Sequence, residues 1–244
     1  IIDDVIDHLD NDYLIYSVGA AGDTAENMIF GKRRKKKSEY FQALIRFKKD
    51  VQAFLISAAG NDIIGEDVNT GQSALHDILR PFNGNTKDVL GHIDFTTLND
   101  RLDFLRGAYQ TVFDTIRSES GFEDLPILIH GYDYVFPYPW GDAKKKDPRK
   151  PKHAAKNEWL GEPLDARKIM DQELRRNILI HLIDQLYAMF GSLASDPQNN
   201  GIHIVDCRGA LPSVDMWADE IHGTSDGFRA VAARFNDTLR RAIN

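Results

Sequence analysis

The sequence predicts an α/β domain whose parallel sheet is covered by helices on both faces, a three-layer α/β/α arrangement of flavodoxin-like type. Short apolar runs, each stopping at a glycine or an Asp/Asn turn, recur along the 244 residues. Amphipathic stretches separate them, and strands alternating with helices build a parallel sheet packed on both sides. With 42% hydrophobic and 27% charged residues, the composition is that of a folded soluble chain, long enough for one full-sized domain and short for two.

Residues 3–9 read as the end of a helix. Tyr13 to Val18 is apolar and aromatic and stops at Gly19-Ala20-Ala21-Gly22, as a strand followed by a glycine turn does. A helix is expected over 38–50, with Phe41, Leu44, Ile45 and Lys48 in helical register. Val51 to Ser57 is the next strand, ending at Gly60-Asn61-Asp62. Residues 63–97, rich in Gly, Asn and Asp, read as an insertion with one short helix near Ala74–Leu79. Leu98, Leu102, Leu105, Tyr109, Val112 and Ile116 recur at spacings of 4, 3, 4, 3 and 4, which lays one apolar stripe along a helix. Leu125 to His130 is the third strand, and a Pro- and Lys-rich loop follows over 136–160. A long helix is expected over 166–190, a fourth strand over Ile202 to Asp206, and a last helix from Thr224-Ser225-Asp226, with Thr224 or Ser225 as N-cap.

Charge and cysteine content exclude several function classes. Thirty Lys and Arg against 37 Asp and Glu give a net charge of −7, the opposite of the basic footprint of a dedicated nucleic-acid binder. No run approaches the roughly 20 apolar residues of a membrane helix. The single cysteine, Cys207, leaves no internal disulfide framework and fits a reducing compartment such as the cytoplasm. No His/Asp/Glu grouping has metal-ligand spacing, and no cofactor motif is present, so neither metal nor cofactor is expected. The basic runs Lys32–Lys37 and Lys144–Lys156 read as solvated loops.

In parallel sheets, ligands sit beyond the carboxyl ends of the strands. Three signals fall there or in the segment after the last strand. Asp219 and His222 are three apart, just before the last helix. That spacing lets a carboxylate hold the near nitrogen of an imidazole and leaves the far nitrogen as a general base; it is equally the spacing of a polar loop capping a helix. Asn61, at the end of a strand, offers a side-chain amide of the kind an oxyanion hole needs, or forms a plain Gly-Asn-Asp turn. Gly22 lets its backbone N–H approach a ligand, or simply closes a tight turn. His130 and Tyr132, just past the third strand, are possible pocket walls. Tyr134, Phe136, Tyr138 and Trp140 shape an acyl or sugar pocket or cover the core.

Taken together, these blocks resemble those of the SGNH hydrolases, the GDSL esterase/lipase family, which is named for a Ser, a Gly, an Asn and a His in four separate blocks. Gly22 is similar to the family's glycine, Asn61 to its asparagine, and Asp219 with His222 to its Asp-x-x-His block. Trp217 before that block and Gly223-Thr224-Ser225-Asp226-Gly227 after it are also similar, so the resemblance spans nearly the whole chain. Two departures stand out. Ala59 occupies the first glycine of the usual Gly-x-Asn-Asp block, and no Gly-Asp-Ser block precedes Gly22. Thr24 in Gly22-Asp23-Thr24 and Ser17 are weak in-chain substitutes for the nucleophile. The resemblance implies a first strand and a nucleophilic serine upstream of Ile1, with that strand lying between the strands at 13–18 and 51–57. It further implies a serine ester hydrolase acting on a small-molecule ester through a Ser-His-Asp triad with a Gly/Asn oxyanion hole. An acyltransferase on the same scaffold, or a binding module without the nucleophile, are the alternatives. The oligomeric state is not legible.

Overall fold

The computed structural model describes residues 3–19, 22–30, 38–65, 71–140 and 159–243; both basic runs lie outside them. Helices α1 (Val5–Leu9), α2 (Ala25–Phe30) and α3 (Glu39–Arg46) precede strand β1 (Phe54–Ile56). After it come α4 (Gly60–Ile64), α5 (Ala74–Ile78), α6 (Phe95–Arg117) and strand β2 (Ile127–His130). Helices α7 (Gly161–Ala166) and α8 (Gln172–Ala194), strand β3 (Ile202–Val205) and α9 (Ser225–Ile243) complete the order. The fold is α/β, with an open, all-parallel sheet in the order β1-β2-β3. Ile56 lies opposite Ile129, and His130 opposite Val205.

Central strand β2 explains why the sheet forms here. Ile127, Leu128 and Ile129 are all fully buried. Each such side chain contributes roughly 1.5–3 kcal/mol by leaving water. Successive residues feed different clusters, because side chains alternate across a strand. Ile127 and Ile129 join Ile56, Ile202 and the apolar stripe of α6, with residues of α2, α3 and α8. Leu128 joins Val205, Leu9 of α1, and Ala232, Phe235 and Leu239 of α9.

Helix starts follow side-chain acceptors that satisfy the otherwise orphaned first N–H groups. The Asp4 carboxylate accepts from Ile6 and Asp7 N–H, and the Asp7 carboxylate accepts from Asp4 N–H, a reciprocal capping box. Asp94 accepts from Thr97 N–H, and Asp171 from Leu174 N–H. At α9 the cap is Thr224, whose Oγ1 accepts from Gly227 N–H.

Three expectations are corrected. The helix expected over 166–190 is α8 and starts later, at Gln172, because Lys168 turns left-handed (φ 60°) after the additional helix α7 and Asp171 caps the start. Helix α2 is an additional element, with the Thr24 hydroxyl accepting from Asn27 N–H at its start. The strand expected over Tyr13 to Val18 is absent: these residues belong to no helix or strand, and they share no ladder with β1 among the described residues. The physical reason lies at the sheet edge. Among the described residues β1 is paired only to β2, and segment 13–18 leaves that edge unused, with Leu14 fully exposed (104%). Its ends are tied by other means: Tyr13 Oη donates to Asn236 Oδ1 (2.8 Å), and the Tyr16 ring leans on Phe47 (4.6 Å between centroids).

Candidate active site

Because the three strands are parallel, the segments Ser57–Asn61, Gly131–Asp133 and Asp206–Gly209 leave the sheet at one edge. The first is a strained turn. Ala59 is buried and has φ 96°, a conformation glycine adopts freely and alanine does not. This is the position where the resemblance leads one to expect glycine. Two tyrosines hold the turn. Tyr109 Oη accepts from Ala58 N–H (3.0 Å) and donates to Ala58 C=O (3.2 Å). Tyr132 Oη accepts from Gly60 N–H (2.9 Å). A Cβ on Gly60 would stand 2.4 Å from that hydroxyl, so only glycine fits there. Burial raises the pKa of both phenols, which stay protonated.

The turn delivers Asn61 to the Gly22 block. Asn61 Nδ2 donates to Asp23 C=O (2.9 Å), and Asp62 Oδ2 accepts from Ala25 N–H (2.8 Å). Burial raises the Asp62 pKa against the pull of its backbone hydrogen bonds. An amide nitrogen carries two hydrogens, so Asn61 keeps one for another acceptor. Gly22 has φ 82°, and a Cβ there would meet nothing within 4 Å. Sequence reasoning named Gly22 and Asn61 separately, and the structure bonds Asn61 to Asp23, the residue after Gly22.

The Asp219–His222 loop is built from main-chain bonds and one close helix approach. Ala218 N–H donates to His222 C=O (2.8 Å), and Thr224 N–H to Met216 C=O (2.8 Å). A Cβ on Gly227 would meet Met216 O at 2.4 Å, so the loop can lie against the first turn of α9 only over glycine. Trp217 is buried and donates its indole N–H to Leu211 C=O (3.3 Å). Within the loop, Asp219 Oδ2 sits 2.7 Å from His222 Nδ1, while Oδ1 accepts from Ile221 N–H (2.9 Å) and His222 N–H (2.7 Å). Burial pushes the Asp219 carboxyl up, but these hydrogen bonds and the imidazole outweigh it, and its pKa is lowered. Asp219 is therefore a carboxylate at neutral pH. The His222 side chain is 36% exposed and that of Asp219 only 10%, so a sheltered carboxylate orients an accessible ring. No described residue hydrogen-bonds to Nε2 of His222. The edge of its ring meets Trp159 (5.7 Å between centroids, 86°).

Two further carboxylates fix this region, and sequence reasoning missed both. Asp133, buried after β2, accepts from the N–H groups of Tyr134, Gly209 and Leu211. Glu220, fully buried, accepts from four N–H groups: Tyr138 (2.7 Å), Trp159 (2.9 Å), Leu160 (2.9 Å) and Gly161 (2.8 Å). Burial raises the Glu220 pKa although each of those bonds lowers it. Nothing in the sequence shows which way Glu220 turns, because its donors lie about 60 or more residues away.

His130 is packed rather than presented. Its Nδ1 is bonded to Gly131 C=O, and its ring meets Phe235 (4.9 Å) and Tyr132 (5.9 Å) edge-on. Burial lowers its pKa to about 4, so the ring is neutral at pH 7. Tyr132 holds the Asn61 turn. No hydrogen bond among the described residues joins the Gly22–Asn61 pair to the Asp219–His222 pair. What they share is one apolar cluster, in which Ile63 and Ile64 of α4 and Ile221 of the loop pack against a core that includes Leu211 and Trp217.

Of the two in-chain nucleophile candidates, the Thr24 hydroxyl caps α2, and Ser17 is exposed in the segment that forms no strand. Burial pushes the Cys207 thiol up to about 12. Among the described residues, no cluster of three or more His, Cys, Asp or Glu side chains could hold a metal ion, and no helix is long and apolar enough to cross a membrane. Comparison with protein-family models, with curated proteins and with solved structures found no match.

Proposed function

We propose that this chain carries the base and oxyanion parts of a serine ester hydrolase of SGNH type on a three-layer, flavodoxin-like domain. The observation that carries the reading is the Asp219 Oδ2 to His222 Nδ1 contact of 2.7 Å, with the imidazole 36% exposed and no described residue bonded to its Nε2. A buried carboxylate on Nδ1 fixes the tautomer, so Nε2 is the atom that accepts a proton. A serine hydroxyl would attack the acyl carbonyl while its proton passes to Nε2. The tetrahedral oxyanion would take the second N–H of Asn61 Nδ2, the Gly22 N–H and the serine's own N–H. Collapse expels the alcohol, which receives the proton from Nε2, and water repeats the sequence to free the acid. Among the described residues β1 is unpaired on one edge, and a strand added to Phe54–Ile56 would have a place from which to present that serine.

The test uses the full-length protein. A fluorophosphonate ester should block hydrolysis of p-nitrophenyl acetate and leave its adduct on one serine, located by mass spectrometry. An adduct on no residue, with no ester turnover, would leave a binding module instead. Faster product release on adding an alcohol acceptor would assign the chain to acyl transfer.

A further inference from the structure

Between Asp219 and His222 stands a residue for which the hydrolytic scheme has no use. Glu220 is fully buried and faces no cation within ion-pair distance among the described residues. A carboxylate has about four lone-pair sites, and here all four are filled by backbone donors. Tyr138 and Gly161 N–H point at Oε1, and Trp159 and Leu160 N–H at Oε2. Such charge-assisted bonds are about twice as strong as neutral ones, and they replace the water a buried carboxylate loses.

Two of these connections converge on His222. One runs along the chain: Asp219 and Glu220 are adjacent, with their carboxylates committed to different partners, so the backbone between them is fixed from both sides. Through Ile221 and His222 N–H, Asp219 then sets where the imidazole starts. The other runs through space: Trp159, whose N–H is bonded to Glu220, lays its ring edge-on against the imidazole. We infer that Glu220 is a positioning residue, which aims Nε2 of His222 by tying the His222 loop and Trp159 to one buried carboxylate. This deepens the hydrolase reading and rests on it for the catalytic consequence, though not for the geometry.

The test is Glu220→Gln in the full-length protein. Glutamine keeps the shape but sets an NH2 group against two of the four N–H donors. Because a misplacement of about 1 Å can cost on the order of 100-fold, kcat for p-nitrophenyl acetate should fall by about that factor with KM nearly unchanged. The His222 Nδ1 proton, sheltered by Asp219, should give a downfield proton NMR signal in the wild type that broadens and moves in the variant. A folded variant with wild-type kcat, or with reduced kcat and an unmoved Nδ1 signal, would overturn the inference. Should Glu220→Gln fail to fold, Trp159→Leu decides: it leaves the backbone donors in place and should shift the same signal, and an unmoved signal there refutes the role. If the wild-type protein hydrolyses no ester, the proposed activity fails while the NMR comparison still decides the positioning role.

Discussion

The turn at Ala59–Asn61 and the loop at Trp217–Gly223 present the two halves of the candidate site, and they are held in opposite ways. The turn is held by neutral groups: two buried phenols clamp Ala58 and Gly60, and the backbone accepts a left-handed alanine in return. The loop is held by carboxylates: Asp219, Glu220 and, at Leu211, Asp133 each accept two or more backbone N–H groups. Neutral clamps are indifferent to pH and tolerate strain. Carboxylate clamps are strong, rely on ionisation, and leave the imidazole beside them with a fixed orientation. The side expected to stabilise a transient negative charge is thus clamped by neutral phenols, with Asp62 beside it bonded to Ala25 N–H, while the side expected to store a proton is built on anions.

The largest effect expected is on the anionic side. His222→Ala should cut ester turnover by about 10,000-fold or more, as loss of a triad base does, with folding nearly unchanged because the ring is partly exposed. Steady-state kinetics with the full-length protein checks this, and wild-type turnover would refute the assignment. Next comes the neutral side. Asn61→Ala should lower kcat by about 100- to 1000-fold with little change in KM, the usual cost of one oxyanion donor. A change confined to KM would instead make Asn61 a ground-state contact.

Acid should separate the two regions. His130, packed against Tyr132, has its pKa lowered from 6.5 to about 4. The unfolded chain therefore binds a proton there more readily than the native one. That contribution to stability is complete above pH 6.5 and is lost as pH falls towards 4, an amount of roughly 3 kcal/mol. Asp219 is also lowered, so its contribution persists above its ordinary value of 3.8 and disappears only in stronger acid. Urea unfolding between pH 7 and pH 4 should show the first loss, and His130→Leu should flatten it. The smallest effect concerns strain. Ala59→Gly should stabilise the fold by about 1 kcal/mol by relieving φ 96°. An unchanged urea midpoint would mean that the turn has relaxed in another way.

How much of this was legible depends on whether a feature's partners are near in sequence. The stripe from Leu98 to Ile116 on α6, the buried run of β2 and the Asp219–His222 contact are local patterns, and each lies where periodicity or spacing predicts. The start of α8 at Gln172 is less visible, because it depends on the left-handed turn at Lys168 and the Asp171 cap rather than on the apolar pattern. Tyr13 to Val18 reads as a strand by composition, yet a strand exists only when its backbone pairs with a neighbour, and among the described residues this segment pairs with none. The Tyr132 clamp and the Glu220 cradle were illegible for a related reason. Tyr132 lies 72 residues from Gly60, and Glu220 lies 59 residues from the nearest of its donors. A tyrosine past a strand and a glutamate in a polar loop are ordinary at their own positions, and only the fold discloses what they hold.

Among the described residues one flank of β1 is unpaired, which has a consequence for handling and crowding. An open parallel edge is a template that any extended peptide can extend, in register or out of it, and such edges are where native proteins begin to stick to one another. Here the template is three residues long and carries a half-exposed Leu55. Concentrated solutions of this chain should therefore begin to scatter light through this flank before any other, and a strand seated there would act as the molecule's solubiliser.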